Sequence, residues 1–423
     1  MVGEVIAVGI FLVPAEMAKS IGSPLWLLVV WMAMGGMALS GALCYGELAA
    51  KFPEAGGGYV YLREAYGPRL AFLYGWKCFL VMDPGLTAAL AVGLASYVGY
   101  MVQLSQVGVQ AVAVSAIVAL AGLNVLGVKV GAEIMRWLTL IKLGSLVFIV
   151  VWGFGRGLGD WSNFTPFVDQ HSGSSPLVLA LAGGMVSAFF AFGGWWEVAR
   201  ITGEVRDPAR VMPRAMSIGV CLVTLVYVMT SAVFLYLVPI ERVTTGETFA
   251  AQAGEALFGR AGGDIFSTIV IFSVLGSLAG FVMVAPRAYY AMSRDGVFLK
   301  SAAALHPRFG TPTRAIALQA ALASLLVLIG SFEEILAYFI FITVVFIALT
   351  VAGVFRLRRK SGGDSPFMTP AYPFTPLIFL ALVSVLLVLL AANRPKQALY
   401  GLGVVLAGLP VYHFAFHKRK ARG

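Results

Sequence analysis

The chain alternates long apolar runs with short polar interruptions. Crossing the hydrocarbon core of a bilayer takes about 20 mostly apolar residues in a helix. Runs of that kind lie near residues 1–19, 25–50, 70–101, 107–124, 134–155, 176–200, 214–239, 265–292, 314–331, 335–355, 374–391 and 399–416. The pattern predicts an all-α polytopic membrane protein with about twelve transmembrane helices in a single domain over 1–423. The loops leave little room for anything soluble.

Two runs contain interruptions, and these carry information. Backbone that leaves the helix cannot face lipid and survives only where protein or a polar cavity satisfies it. The first run, "VIAVGIFLVP", has Gly9 at its centre and Pro14 as its expected close, and the sixth carries "FGGW" at Gly193 and Gly194. Corresponding breaks in two halves of a bundle point to inverted repeats whose half-helix ends meet near the midplane. The expected repeats are roughly 1–157 and 176–356, with peripheral spans over 374–417. Close helix packing through small residues is the competing reading of each glycine taken singly. It is the better one for "GLASYVG" and "GGMALSGALCYG", which are Gly-rich without a break.

Composition supports the membrane reading: 60% of residues are hydrophobic, 12% are charged, and mean hydropathy is +0.89. The net charge of +10 does not signify nucleic acid, because 22 of the 30 Lys and Arg sit in alternate loops and the C-terminal tail. By the positive-inside rule those segments face the cytoplasm, and both termini with them. Cys44, Cys78 and Cys221 fall inside spans without paired spacing and read as small packing residues. His171, His306, His413 and His417 are scattered, so no metal site, cofactor or catalytic constellation is expected. The start "MVGEVIAVGIFLVP" lacks a basic leader and a cleavage site, and its first span reads as short.

Four segments resemble one family. "VGEVIAVGIF" resembles the first-span signature of the amino acid-polyamine-organocation superfamily, and "ELAAKFPEAGGGYVYLREAYG" its second-to-third-span loop. "FAFGGWWEVARITGEVRDPARVMPRAM" is similar to its sixth span and following loop, and "APRAYYAMSRDGVFLKSAAALHPRFGTPTRAI" to its eighth span and exit. The resemblance implies a LeuT-like 5+5 inverted repeat with spans 1 and 6 discontinuous, and transport of amino acids or related amines. Amides unwound over Ala7 to Ile10 would meet a substrate carboxylate at the positive end of a half-helix. Carbonyls at Val5, Phe190, Ala191 and Gly193 would accept from its ammonium. The candidate substrate site is therefore Val5, Ile6, Ala7, Val8, Gly9 and Ile10 with Phe190, Ala191, Phe192, Gly193, Gly194 and Trp195. Phe190 or Phe192 would act as an aromatic lid. The chain departs from the family at Ala7 and Val8, where Gly or Ser is usual, which narrows the expected pocket.

Charges within spans need partners or a function, since one at a helix centre costs about 2.5–3.5 kcal/mol on insertion scales. Lys142, in "LIKLGSLVFIVVWG", resembles the fifth-span lysine of the L-amino-acid transporter branch, where an ammonium stands in for a sodium ion and joins the first and fifth spans. The resemblance thus implies sodium-independent transport. Glu4 is a candidate to approach Lys142 and tune a proton-linked or exchange step. Glu197 is a candidate to meet a cation or a basic substrate group. Lys77 and Asp83, six apart, read as structural.

The leading expectation is a permease for neutral L-amino acids in the lipid bilayer, working by exchange or proton-linked alternating access. A carrier of cationic amino acids or polyamines, and a non-transporting sensor with the same fold, stay open. The loop "MVQLSQVGVQ" lacks cysteine, so no disulfide-linked accessory subunit is expected.

Overall fold

The computed structural model describes residues 2–6, 9–126, 128–240, 253–329, 332–360, 364–393 and 395–417, and these residues are helical with short connections. Ten helices among them are long and apolar enough to cross a membrane. Two further apolar elements complete the order: the broken first span and the shorter helix Thr313–Ile329. This is a multi-pass membrane protein.

The elements are numbered here as spans. Span 1 is Val2–Val5 followed by Gly9–Ile21, span 2 Pro24–Lys51, and span 3 Pro68–Lys77 continuing through Cys78–Met82 and Asp83–Val102. Span 4 is Gln106–Val125, span 5 Val128–Gly155, and span 6 Leu177–Phe192 followed by Glu197–Glu204. Span 7 is Pro208–Leu237, span 8 Gly262–Val284, span 9 Thr313–Ile329 and span 10 Phe332–Lys360. Spans 11 and 12 are Phe374–Asn393 and Pro395–Val411. Helix starts follow local chemistry. Ser23 is extended and its hydroxyl caps Trp26 N at 3.5 Å, with Pro24 beginning the helix where a missing N–H costs nothing.

Spans 3 and 8 form the buried centre, each 72% buried over its most apolar window, whereas spans 4, 5 and 12 are 22% buried and present apolar side chains outward. Span 2 packs on span 7, span 8 on spans 3 and 5, and the second half of span 1 on the first half of span 6. Glycine permits the tightest of these approaches. A Cβ on Gly46 of span 2 would stand 2.9 Å from Pro213 Cα of span 7.

Several expectations need correction. Pro14 does not close the first run; it lies inside a helix that continues to Ile21. Gly9 and Ile10 are not unwound but open that half-helix, and Ile6 lies just past the end of the first one. The third run is not uniform, because Cys78–Met82 is a π-helical turn. Cys221 is no packing residue, being exposed on span 7, while Cys44 and Cys78 are buried. Ala7, Val8 and the side chain of Glu4 lie outside the described residues.

Candidate functional site

The two breaks meet. A Cβ on Gly9 would fall 2.8 Å from Ala191 Cα, so the second half of span 1 touches the end of span 6 backbone to backbone. Span 6 stops at Phe192 and turns through Gly193–Trp196, with Gly193 N donating to Phe190 O at 3.0 Å. Gly194 has φ of 104°, a conformation that a side chain would strain. The chain then resumes as a 3₁₀ helix rather than the α-helix it left.

Polar groups from neighbouring spans serve the freed backbone. The Tyr227 hydroxyl of span 7 lies 2.7 Å from Ala191 O and 3.1 Å from Val5 O, bridging the two breaks with one proton. Two of the four carbonyls expected to receive a substrate ammonium, those of Val5 and Ala191, thus already have a donor. Phe190 O likewise accepts from Gly193. On the other side, Lys142 Nζ donates to Gly3 O and Ser277 Oγ, each at 2.8 Å, and to Ile6 O. The Ser277 hydroxyl in turn reaches Gly3 O and Ile6 O, each at 2.9 Å. Spans 1, 5 and 8 are joined by this knot. Neither Tyr227 nor Ser277 stood out in the sequence, since a lone hydroxyl in an apolar run carries no pattern.

Beside the breaks lies a small cavity of about 40 Å³ of water-accessible volume. Its walls are Val5 and Gly9 of span 1; Met82, Leu86 and Leu90 of span 3; Phe189 to Ala191, Gly193, Gly194 and Trp196 of span 6; Ser277 and Phe281 of span 8; and Ile340 and Thr343 of span 10. Of the sequence-derived candidates, Val5, Gly9, Phe190, Ala191, Gly193 and Gly194 line it. Phe192 and Trp195 do not. Phe192 is buried against Trp31 and Tyr227, with ring centroids 5.9 and 5.1 Å away, and Trp195 packs on Tyr45 at 5.2 Å. Phe190 is therefore the lid candidate that reaches the cavity. Ile6 and Ile10 are buried in the packing behind it.

Below the cavity sits a cluster of buried charges. Glu197, Arg200 and Asp83 are each 0% exposed, and Lys77 is 1% exposed. Arg200 donates to both oxygens of Asp83, at 2.8 and 3.2 Å, and Tyr289 donates to Asp83 at 2.6 Å. Arg200 Nε also lies 2.6 Å from Glu197 Oε2, a charge contact outside hydrogen-bond alignment, so neither Glu197 oxygen has a hydrogen-bond donor among the described residues. Glu197 therefore meets a cation from its own segment. Arg200, at the very end of the sixth apolar run, is the centre of the cluster. The glycines of "EAGGGY" hold it there, Gly56 N donating to Arg200 O at 3.0 Å and Gly57 lying flat against its amide. The spacing Glu197 to Arg200, one helical turn, was the available signal.

A second cavity, of about 670 Å³, lies on the side of the basic loops. It is polar, lined by Glu54, Arg63, Glu204, Arg287, Arg294 and Asp295 among others. Arg63 pairs with Glu54 at 3.0 Å and with Asp295 at 2.9 Å, and these partners hold its guanidinium above its ordinary pKa against the lowering effect of burial. One stretch of chain orders all three regions. Residues 193–196 adjoin the small cavity, 197–200 carry the ion cluster, and 203–204 line the polar cavity. Along this stretch the cluster falls between the residues that line the two spaces.

Comparison with known proteins gives this architecture its relatives. The serine/threonine exchanger SteT of Bacillus subtilis (strain 168) is 31% identical across all of this chain and 95% of its own length. The human cystine/glutamate transporter is 28% identical over all of this chain and 84% of its own, and the human b(0,+)-type amino acid transporter 1 is 29% identical over 99% and 86%. Residues 1–408 match the family described as amino acid permease, and the chain belongs to that family of amino acid transporters.

Proposed function

We propose that this permease carries neutral L-amino acids across the cell membrane by sodium-independent alternating access, in exchange for a second amino acid or coupled to protons. The observation that carries the reading is the pair of apposed breaks beside an almost wholly apolar cavity. Half-helix ends supply the polar contacts for a zwitterion, while the walls from spans 3, 8 and 10 suit an uncharged side chain. Lys142 supports sodium independence: its ammonium occupies the backbone carbonyls of Gly3 and Ile6, which a bound cation would otherwise use. The name of the Bacillus relative, a serine/threonine exchanger, agrees with a neutral substrate and with exchange.

The cationic alternative rested on Glu197, and Arg200 answers that carboxylate within the protein. Transport also needs a moving partition. Asp83 belongs to span 3 and Arg200 to the unwound segment of span 6, so their ion pair is where the small cavity would open toward the basic loops, which we place in the cytoplasm. The repeats would then run over 1–157 and 176–356, and a single chain without a disulfide-linked partner would suffice.

The deciding experiment is counterflow of labelled amino acids in proteoliposomes, with sodium replaced by choline and at two proton gradients. Saturable uptake of neutral amino acids that ignores sodium is the expected result. Uptake confined to lysine, arginine or polyamines would replace the substrate assignment, and binding without flux would establish the sensor.

A further inference from the structure

Lys77 is the buried cation that the ion cluster does not claim. Asp83 is occupied by Arg200 and Tyr289, and Arg200 is the residue in ion-pair contact with Glu197. The Lys77 ammonium instead donates to Met82 Sδ at 2.8 Å and Thr343 Oγ1 at 3.4 Å, between the rings of Tyr74 and Phe346 at 4.9 and 5.8 Å. Among the described residues it has no carboxylate within ion-pair distance. Both of its hydrogen-bond acceptors, Met82 and Thr343, line the small cavity. The cation thus stands one side chain behind the cavity wall.

This contact sets the polarity of Thr343. An ammonium can only donate, so the Thr343 hydroxyl must accept from it. Its own proton then has to point elsewhere, and no hydrogen bond donated by this hydroxyl occurs among the described residues, although Thr343 is 2% exposed. The other hydroxyl of the cavity differs. Ser277 accepts from Lys142 and spends its proton on the carbonyls of span 1. Among the described residues two side-chain donors of the cavity walls are therefore uncommitted, the Thr343 hydroxyl at the wall of spans 3 and 10 and Trp196 Nε1 at the break of span 6, and of the two only the hydroxyl is oriented by a neighbouring cation.

We propose that Thr343, polarised by Lys77, is the specificity residue of the cavity and selects amino acids whose short side chain carries an oxygen acceptor, serine being the simplest. The inference rests on the carrier reading above and narrows it from neutral amino acids in general. Short side chains follow from the cavity's volume of about 40 Å³. The oxygen follows from the donor, because a buried donor left unpaired by an aliphatic side chain costs more than the bond itself returns.

The test compares serine with 2-aminobutyrate, which replaces the serine hydroxyl by a methyl group, as counterflow substrates in proteoliposomes. Wild-type protein should favour serine by about tenfold in uptake efficiency, the worth of one such contact. Thr343→Val should bring the ratio close to one, and Thr343→Ser should restore it. Lys77→Met should also lower the ratio, since the hydroxyl is then free to turn. A wild-type ratio near one overturns the proposal without need of any variant. So does a Thr343→Val protein that keeps the preference, and a Lys77→Met protein that keeps it removes the lysine from the argument. Wild-type protein that moves no amino acid at all refutes the carrier reading, and this inference with it.

Discussion

Replacing Arg200 by Met tests whether the partition is held by charge. The methionine fills a similar path through the protein but offers no donor and no positive charge. Arg200 is 0% exposed, bonds Asp83 at 2.8 and 3.2 Å and lies 2.6 Å from Glu197. Without it, two buried carboxylates lose the cation in contact with both, and Lys77, bonded to Met82 and Thr343, is not within ion-pair distance of either. Breaking one side of a buried ion pair costs about 3–5 kcal/mol, a large part of the 5–15 kcal/mol by which a native state typically exceeds its unfolded ensemble. Arg200→Met should therefore show sharply reduced folded yield and a lower melting temperature in detergent, measured by the loss of the monodisperse peak on size-exclusion after heating. If unpaired charge is the cause, adding Asp83→Asn to Arg200→Met should return at least about 1 kcal/mol, a coupling of the size found between contacting residues. The single carboxylate variants should be unequal. Asp83→Asn removes the acceptor of three hydrogen bonds, whereas Glu197→Gln removes a carboxylate with none, so Asp83→Asn should be the less stable. An Arg200→Met protein that melts with wild type, or a double variant no better than Arg200→Met, would refute the electrostatic account.

Further outcomes follow from the site. Gly9→Ala places a Cβ 2.8 Å from Ala191 Cα, and relieving that overlap should cost about 1–3 kcal/mol and abolish uptake, read by melting temperature and counterflow. Tyr227→Phe keeps the ring but leaves two buried carbonyls sharing no donor, an expected loss of about 1–3 kcal/mol measurable by the same melt. Lys142→Met frees the carbonyls of Gly3 and Ile6, and uptake should vanish in a protein whose wild-type rate does not change when choline replaces sodium. Phe190→Ala opens the cavity wall; weaker substrate retention in a binding assay is expected, and unchanged affinity and flux would remove Phe190 as a lid.

Much of this organisation was legible in the residues. Apolar run length located the spans, because burying backbone in lipid admits few alternatives to a helix. Gly193 and Gly194 among aromatics marked the second break, and Gly194 does adopt a positive φ that favours glycine. Lys142 was found because a charge in an apolar run demands explanation. Arg200 was missed for the opposite reason: it stands at the head of a basic loop, where arginine is ordinary, and only the packing of Gly56 and Gly57 shows it to be interior. The carbonyls of Val5 and Ala191 were assigned to substrate because Tyr227, some 36 residues beyond Ala191, gave no sign of reaching them. Partners supplied by distant spans are invisible to local pattern. The same limit hid the link from Lys77 to Thr343, which are 266 residues apart.

The π turn at Cys78–Met82 has a consequence for how such a pocket changes over generations. A π turn bonds i to i+5, holds an extra residue relative to α pitch, and is uncommon except at functional sites. It follows Lys77 and ends at Met82, the first of the cavity-facing column Met82, Leu86 and Leu90. Because the extra residue is taken up within about one turn, the two flanks stay in phase: Lys77 keeps its aim at Thr343 while the column keeps its aim at the cavity. A one-residue deletion in the regular helix on either side would instead rotate one flank against the other by about 100°, the angular step of an α-helix with 3.6 residues per turn. The π turn is thus the place where span 3 can change its length by a residue without exchanging the wall of the pocket.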